Sequence, residues 1–328
     1  MDRIKIVIIL SFLVVLAPLK AQQEQHWTVS SLVNRITINP AYAGSEDYSD
    51  FKLGHRTQWV GIDAAPVTTY VTGHTTIGKE YGSAHGHHRG EGTSWFGLGG
   101  YIYQDNTGPI RRTGFYSIVS LNTQITKDTR FALGFSLGLK QFRIRPDWNS
   151  FDPVEQDDLL LSTEQARLVP DINIGATYYT KNFYVGASIF QATRAGLSFE
   201  GLTNDDQEPA SRLTNHFFFT GGFKMPFSAD FDIVPSFTLR YSFPTVPSLD
   251  LSVRANYGDK YFVGGSFRVG DSFSVLGGVL LGDRFEVAYS FDLTNSELRR
   301  FNSGTHEIIV GYRLPHKGKL ECPGKYWH

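Results

Sequence analysis

Apolar and polar residues alternate along most of this chain. From Arg284 to Leu293, Phe285, Val287, Tyr289 and Phe291 share one parity, while Glu286, Ala288, Ser290 and Asp292 share the other. Successive side chains of a strand point to opposite faces, so such a segment has one apolar face and one polar or small face. Phe131, Leu133, Phe135, Leu137 and Leu139 alternate in the same way with Ala132, Gly134, Ser136, Gly138 and Lys140. Phe183, Val185, Ala187 and Ile189 alternate with Tyr184, Gly186, Ser188 and Phe190. The pattern predicts fourteen strands, near 51–60, 67–78, 94–105, 113–126, 129–144, 171–180, 183–191, 213–225, 232–243, 248–257, 260–269, 272–281, 284–293 and 304–314. Segments of about ten residues with this alternation are the signature of a transmembrane antiparallel β-barrel, and closure calls for an even number of them. A large soluble β-sandwich or propeller also alternates and is the competing architecture.

The joints carry a second pattern. Thr126-Lys127-Asp128-Thr129, Lys181-Asn182, Gly258-Asp259 and Gly282-Asp283 are tight turns of Asn, Asp and Gly type. The intervening joints include 145–170, 192–212 and 294–303, the longest connections in the chain. Short periplasmic turns and longer outer loops are the expected asymmetry of an outer-membrane barrel, with both termini periplasmic. The joint 79–93, which carries His85, His87 and His88, breaks the rule. Small lumen-side residues such as Gly134, Ser136 and Gly186 imply an interior crowded by something, or closely bent strands. Trp59, Tyr103, Tyr241 and Tyr312, near strand ends, are expected in interfacial aromatic girdles.

The N-terminus changes the compartment. Arg3 and Lys5 precede an apolar run from Ile6 to Leu19, and Ala21 is a plausible cleavage point. Residues 1–21 read as a signal peptide, with the exact site open. The remaining chain divides into a periplasmic N-terminal segment (22–50), an outer-membrane barrel (51–314) and a periplasmic C-terminal tail (315–328). The formal net charge of the whole chain is −1, which gives no reason to expect nucleic acid. The single cysteine, Cys322, excludes an intramolecular disulfide framework. Aromatics make up 14% of the residues and glycine contributes 33 of them, a composition that suits strands with one wet face.

Candidate chemistry is sparse. No nucleophile–base set or phosphate-binding glycine loop is evident, so no cofactor and no enzymatic activity are expected. His85-Gly86-His87-His88 could ligate a transition metal, but a flexible polar loop is the plainer reading. Glu155, Asp157 and Asp158 read as a solvated acidic loop.

The segment before the first strand is more informative. Asn39-Pro40-Ala41-Tyr42-Ala43-Gly44-Ser45 contains a proline that holds Asn39 extended and a glycine that permits a sharp turn. It reads either as a lead-in that plugs or caps the periplasmic mouth or as a docking segment. Gln58-Trp59-Val60-Gly61 and Ala65-Pro66 then flank the first outer loop. Together these strings resemble the opening of the PorP/SprF family of outer-membrane proteins. Asp105-Asn106-Thr107-Gly108-Pro109 and Gly304-Thr305-His306-Glu307-Ile308 resemble it further along, over about residues 32–314.

The resemblance implies a barrel without chemistry of its own, belonging to the type IX secretion and gliding machinery of Bacteroidetes. It implies contact with outer-membrane lipids and periplasmic ring proteins, and help in the export or surface retention of large secreted adhesins. The C-terminal tail, with Cys322, Tyr326 and Trp327, resembles the PorP branch more than the SprF branch. Its aromatics suit a docking role, against the alternative of a frayed end. Candidate docking residues are therefore Asn39, Pro40, Ala41, Tyr42, Ala43, Gly44, Trp59, Gly61, Cys322, Tyr326 and Trp327. The rival functions are a channel for a small nutrient, with Lys140, Glu286, Asp292 and Arg313 tuning its lumen, and an outer-membrane hydrolase.

Overall fold

A computed structural model describes residues 32–78, 94–126, 128–144, 165–197, 211–258 and 260–316. The chain is an all-β barrel of fourteen long antiparallel strands: β1 (Tyr48–Thr57), β2 (Val67–Ile77), β3 (Ser94–Thr107), β4 (Ile110–Gln124), β5 (Thr129–Ile144), β6 (Gln165–Thr180), β7 (Phe183–Phe190), β8 (His216–Phe223), β9 (Phe231–Ser242), β10 (Ser248–Tyr257), β11 (Tyr261–Arg268), β12 (Ser272–Leu281), β13 (Phe285–Thr294) and β14 (Thr305–Pro315). Each strand pairs with its sequence neighbours, and β1 pairs with β14, from Tyr48 opposite Pro315 to Thr57 opposite His306. The sheet is thereby closed. Short ribbons accompany it: Gly196–Leu197 pairs with Ser211–Arg212, and Met225–Pro226 pairs with the start of β9.

The two-residue alternation sorts side chains as expected. Leu133, Leu137, Val253 and Val263 are each about half exposed on the outside. Ser136, Lys140, Asp171, Arg254 and Glu286 are buried on the inside. At the Gly282-Asp283 turn both residues have φ near +57° and Arg284 N donates to Leu281 O. Both central residues in the left-handed region make this a type I′ turn, whose twist matches the strands it joins.

Several boundaries differ from the expected ones, for physical reasons. β6 starts at Gln165 rather than 171, through Pro170. Its pairing with β7 covers only Ile174 to Tyr179, so Pro170 lies on a stretch hydrogen-bonded on one side alone, where a missing N–H is tolerated. β3 and β4 form a long hairpin joined at Gly108-Pro109, Gly108 having φ +58°. That joint is as tight as the turns at the other end, so the length asymmetry between the two ends is weaker than the sequence suggested. Tyr103 belongs to no outer girdle. It is 3% exposed, faces the lumen, and stacks with Tyr101 and Tyr116.

The closing seam is stapled from inside. Arg56 of β1 donates to Glu307 of β14 at 3.0 Å and to Asp292 of β13 at 2.7 Å. Tyr70 of β2 donates to the other oxygen of Glu307 at 2.9 Å. Arg313 donates to Glu286 at 2.6 Å, and Lys52 lies 3.8 Å from the same oxygen. All of these groups are largely sequestered from solvent. Removing one member of a buried pair strands its partner, which costs about 3–5 kcal/mol. Arg56→Leu therefore destabilises the barrel by about that amount, measurable as a lower urea midpoint in lipid vesicles; an unchanged midpoint would contradict the staple.

Candidate functional site

The lumen is occupied by the chain's own residues 32–47. This plug makes two short 3-10 turns, Arg35–Thr37 and Pro40–Tyr42. Asn39 is extended, as the following proline demands, and its Oδ1 accepts from Ala41 N at 2.9 Å, capping the second turn. Gly44 turns the chain with φ +67°. From there the plug runs into β1 at the end of the barrel that carries the tight turns 125–128, 181–182 and 258–260, referred to below as the turn end.

The wall is shaped to this segment. A Cβ on Gly97 would run into the Ala43 carbonyl, one on Gly134 into the Ala41 backbone, and one on Gly175 into the Asn39 side chain. These lumen glycines are where the plug passes: its backbone at Gly97 and Gly134, the Asn39 side chain at Gly175. Gly138 has a different cause: its missing side chain makes room for the Tyr116 ring.

Polar side chains of the wall then take up the carbonyls of the plug. Arg254 donates to Leu32 O, Lys52 to Val33 O and Ser188 to Ile38 O. Ser120 and Asn122 both donate to Ala43 O, and Trp95 Nε1 donates to Gly44 O at 2.9 Å. In return Asn39 Nδ2 donates to the carbonyls of Ala176 (3.1 Å) and Ala187 (3.3 Å). A buried main-chain oxygen without a donor is costly, and six wall side chains remove that cost at five plug carbonyls. Tyr42 is buried against Tyr184, its hydroxyl 3.5 Å from that of Thr220. Burial, with the nearby Tyr184 hydroxyl, pushes the Tyr42 pKa up to about 12, so the hydroxyl stays protonated. Arg35 lies over the rings of Tyr184 and Tyr42, at 4.4 Å and 5.7 Å, a cation–π arrangement.

Around and beyond the plug, the lumen carries further charged clusters. Arg268 holds Asp250 through two nitrogens, and Arg240 reaches the same carboxylate at 2.8 Å. Tyr116 donates to Asp171 at 2.6 Å, with Lys140 Nζ 3.7 Å from it. Thr68 and Arg112 both donate to Asp105.

The candidate docking residues separate into three places. Asn39, Pro40, Ala41, Tyr42, Ala43 and Gly44 lie in the lumen, Asn39 at 1% exposure and both alanines at 0%. The segment assigned from sequence to the periplasm thus runs, over residues 32–47, within the barrel, and its packing is that of a plug. Trp59 and Gly61 sit at the opposite end, where Trp59 N donates to Thr305 Oγ1 and Val60 exchanges hydrogen bonds with Ser303 and Gly304. Cys322, Tyr326 and Trp327 lie outside the described residues, as do the histidine tract 85–88 and the acidic residues 155–158. Of the lumen residues proposed to tune a channel, Lys140, Glu286, Asp292 and Arg313 all face inward and join the ion pairs above. The sequence reading missed the carbonyl donors Ser120, Asn122, Ser188 and Arg254. Their lumen parity was legible, but nothing in parity says what they would bind.

Gly134→Leu drives a side chain into the Ala41 backbone. Overpacking of this kind costs about 1–3 kcal/mol. Amide exchange at residues 39–44 should rise in this variant while the strands stay protected; unchanged protection there would show that the wall does not hold the plug in this way.

Comparison with known proteins places this architecture. The profile of the family described as type IX secretion system membrane protein PorP/SprF matches residues 20–312. No curated protein matches the chain. Among solved structures, the TodX deltaS2S3 mutant monoaromatic hydrocarbon channel superposes with a TM-score of 0.52 at 10% identity, over 89% of this chain and 99% of that one. The CymD monoaromatic hydrocarbon channel gives 0.51 at 12% identity, over 86% and 92%. At such identity the likeness is one of barrel fold alone. The match over nearly the whole chain is decisive for kinship: this protein belongs to the PorP/SprF family of type IX secretion system membrane proteins.

Proposed function

We propose that this chain is a non-enzymatic, integral outer-membrane component of type IX secretion. It anchors periplasmic ring components at the turn end and assists export or surface retention of secreted proteins at the loop end. Both termini are periplasmic in this reading. Family membership supports the secretion role. The observation that carries the anchoring role is the filled lumen: residues 32–47 occupy the interior of the barrel, leaving its two ends and its lipid-facing wall as working surfaces.

The turn end is the natural place for a periplasmic partner, because β1 starts there and β14 finishes there. The tail after Pro315, with Tyr326 and Trp327, is the segment best suited to dock. Deleting 315–328 should abolish recovery of periplasmic partners in pull-downs from native membranes and reduce secretion. Unchanged recovery together with unchanged secretion would overturn the tail-docking role.

The rival reading is a small-molecule channel, suggested by the barrel fold shared with the two hydrocarbon channels. The plug argues for silence. In planar bilayers the intact protein should show no steady conductance, and a variant lacking residues 32–45 should open a lasting pore. A steady large conductance from the intact protein would favour the channel instead.

A further inference from the structure

The outward face of the barrel is not uniform. On β5, Phe131, Leu133, Phe135, Leu137 and Leu139 form an unbroken apolar run, which at about 3.4 Å per residue covers roughly 27 Å of strand. On β13, Phe285, Val287, Tyr289, Phe291 and Leu293 form another. On β1 the apolar outward residues are Phe51 and Leu53 alone, with Ser49 before them and His55 and Thr57 after. They cover roughly 7 Å of strand. On β2, Thr69, Gly73 and Thr75 interrupt the series Val67, Val71 and Ile77. The lipid-facing band of such a barrel is about 25 Å tall, so at β1 and β2 it is pinched.

The polar groups of the pinch meet across strands. His55 Nδ1 and Thr69 Oγ1 are 2.8 Å apart, and Thr57 Oγ1 lies 3.5 Å from His55 Nε2. Beside them, His306 Nδ1 on β14 is 2.7 Å from the Tyr289 hydroxyl on β13. At the turn end, Ser49 and Thr75 bond each other and are covered by His316. The open polar patch is therefore the part towards the loop end, where β1 finishes at Thr57 and β2 begins at Val67. Two properties mark it. It carries no formal charge: none of the outward residues on β1, β2 or β14 is Asp, Glu, Lys or Arg. It is also flat. Thr69, Val71 and Gly73 are small, and the Phe51 ring lies across Gly73, where a Cβ would meet it at 2.8 Å. Small residues let a second backbone come close within a membrane.

We infer that the outer face of β1 and β2 is an interface with a second copy of this chain, the two barrels lying side by side in the membrane about a two-fold axis. Such an interface sets one surface against itself. A row of like charges would repel its own copy. Hydroxyls and neutral imidazoles both donate and accept, so the row of His55, Thr57 and Thr69 is complementary to itself. Hydrocarbon gives these groups no further partner, and the facing copy does. The pinch then has a cause: the band is narrow where protein, not lipid, covers the wall. The inference goes beyond the secretion role and does not depend on it.

The test uses the full chain in outer-membrane vesicles, with Cys322→Ser removing the native thiol. Val71→Cys places a thiol at the centre of the face, and Leu137→Cys places one on β5 as control. With a short bismaleimide, Val71→Cys should yield a crosslinked dimer of this chain, identified by mass spectrometry, and Leu137→Cys should stay monomeric. Adding His55→Leu and Thr69→Val to the Val71→Cys chain makes the patch apolar and should lower the crosslinked fraction about tenfold. A monomer from Val71→Cys, equal dimer from both cysteine positions, a crosslink to a different protein, or an undiminished dimer in the apolar variant overturns the inference. Should the apolar variant lose the heat-modifiable gel mobility of a folded barrel, the contrast between Val71→Cys and Leu137→Cys decides alone.

Discussion

A membrane-spanning sheet has to close, because hydrocarbon offers nothing to an unpaired N–H or carbonyl. Closure in this chain comes from β1 meeting β14, and everything else follows from the space that fourteen strands enclose. About eight strands make a barrel that side chains alone can fill, whereas about sixteen leave a water channel. Fourteen lies between, and here the volume is taken up by a segment of backbone. That choice explains the glycines at 97, 134 and 175, the ring of carbonyl donors, and the burial of so many charged groups on the inner face.

The interior is accordingly a core built with polar chemistry. The hydrogen bonds that wall side chains donate to the plug end mainly on its carbonyls, so the wall grips the path of the plug's main chain more than its side chains. Small residues in the plug, Ala41, Ala43 and Gly44, let that main chain approach the sheet closely. A protein assembled this way has a rigid middle, and its functional variety belongs to the ends. This is compatible with the anchoring role proposed above.

Much of the fold was legible from period two alone. Strand number, facing and the lumen position of residues such as Glu286 and Arg313 all follow from alternation. Boundaries were less legible where a second constraint overrode the local signal. Pro170 reads as a strand breaker and is harmless on a stretch paired on one side. Tyr103 reads as an interfacial aromatic and is instead part of an inward tyrosine stack, because parity outranks residue type. The plug was half legible: Asn39-Pro40 and Gly44 announced a shaped segment, and the lumen glycines announced crowding. Nothing local linked the two, since that link is a contact between positions more than 50 residues apart, as between Ala43 and Gly97 or Ala41 and Gly134.

The staple at the seam has a consequence for how the chain knows when to stop. Backbone pairing is generic, so any strand edge could in principle join any other. Arg56 on the first strand, however, finds both of its carboxylates on the last two, Asp292 and Glu307. A barrel that closed one hairpin early would leave that guanidinium facing the wrong wall, and a one-residue slip at the seam would turn it out into lipid. The buried charges therefore act as a tally: they specify the circumference of the barrel, and only the complete ring satisfies it.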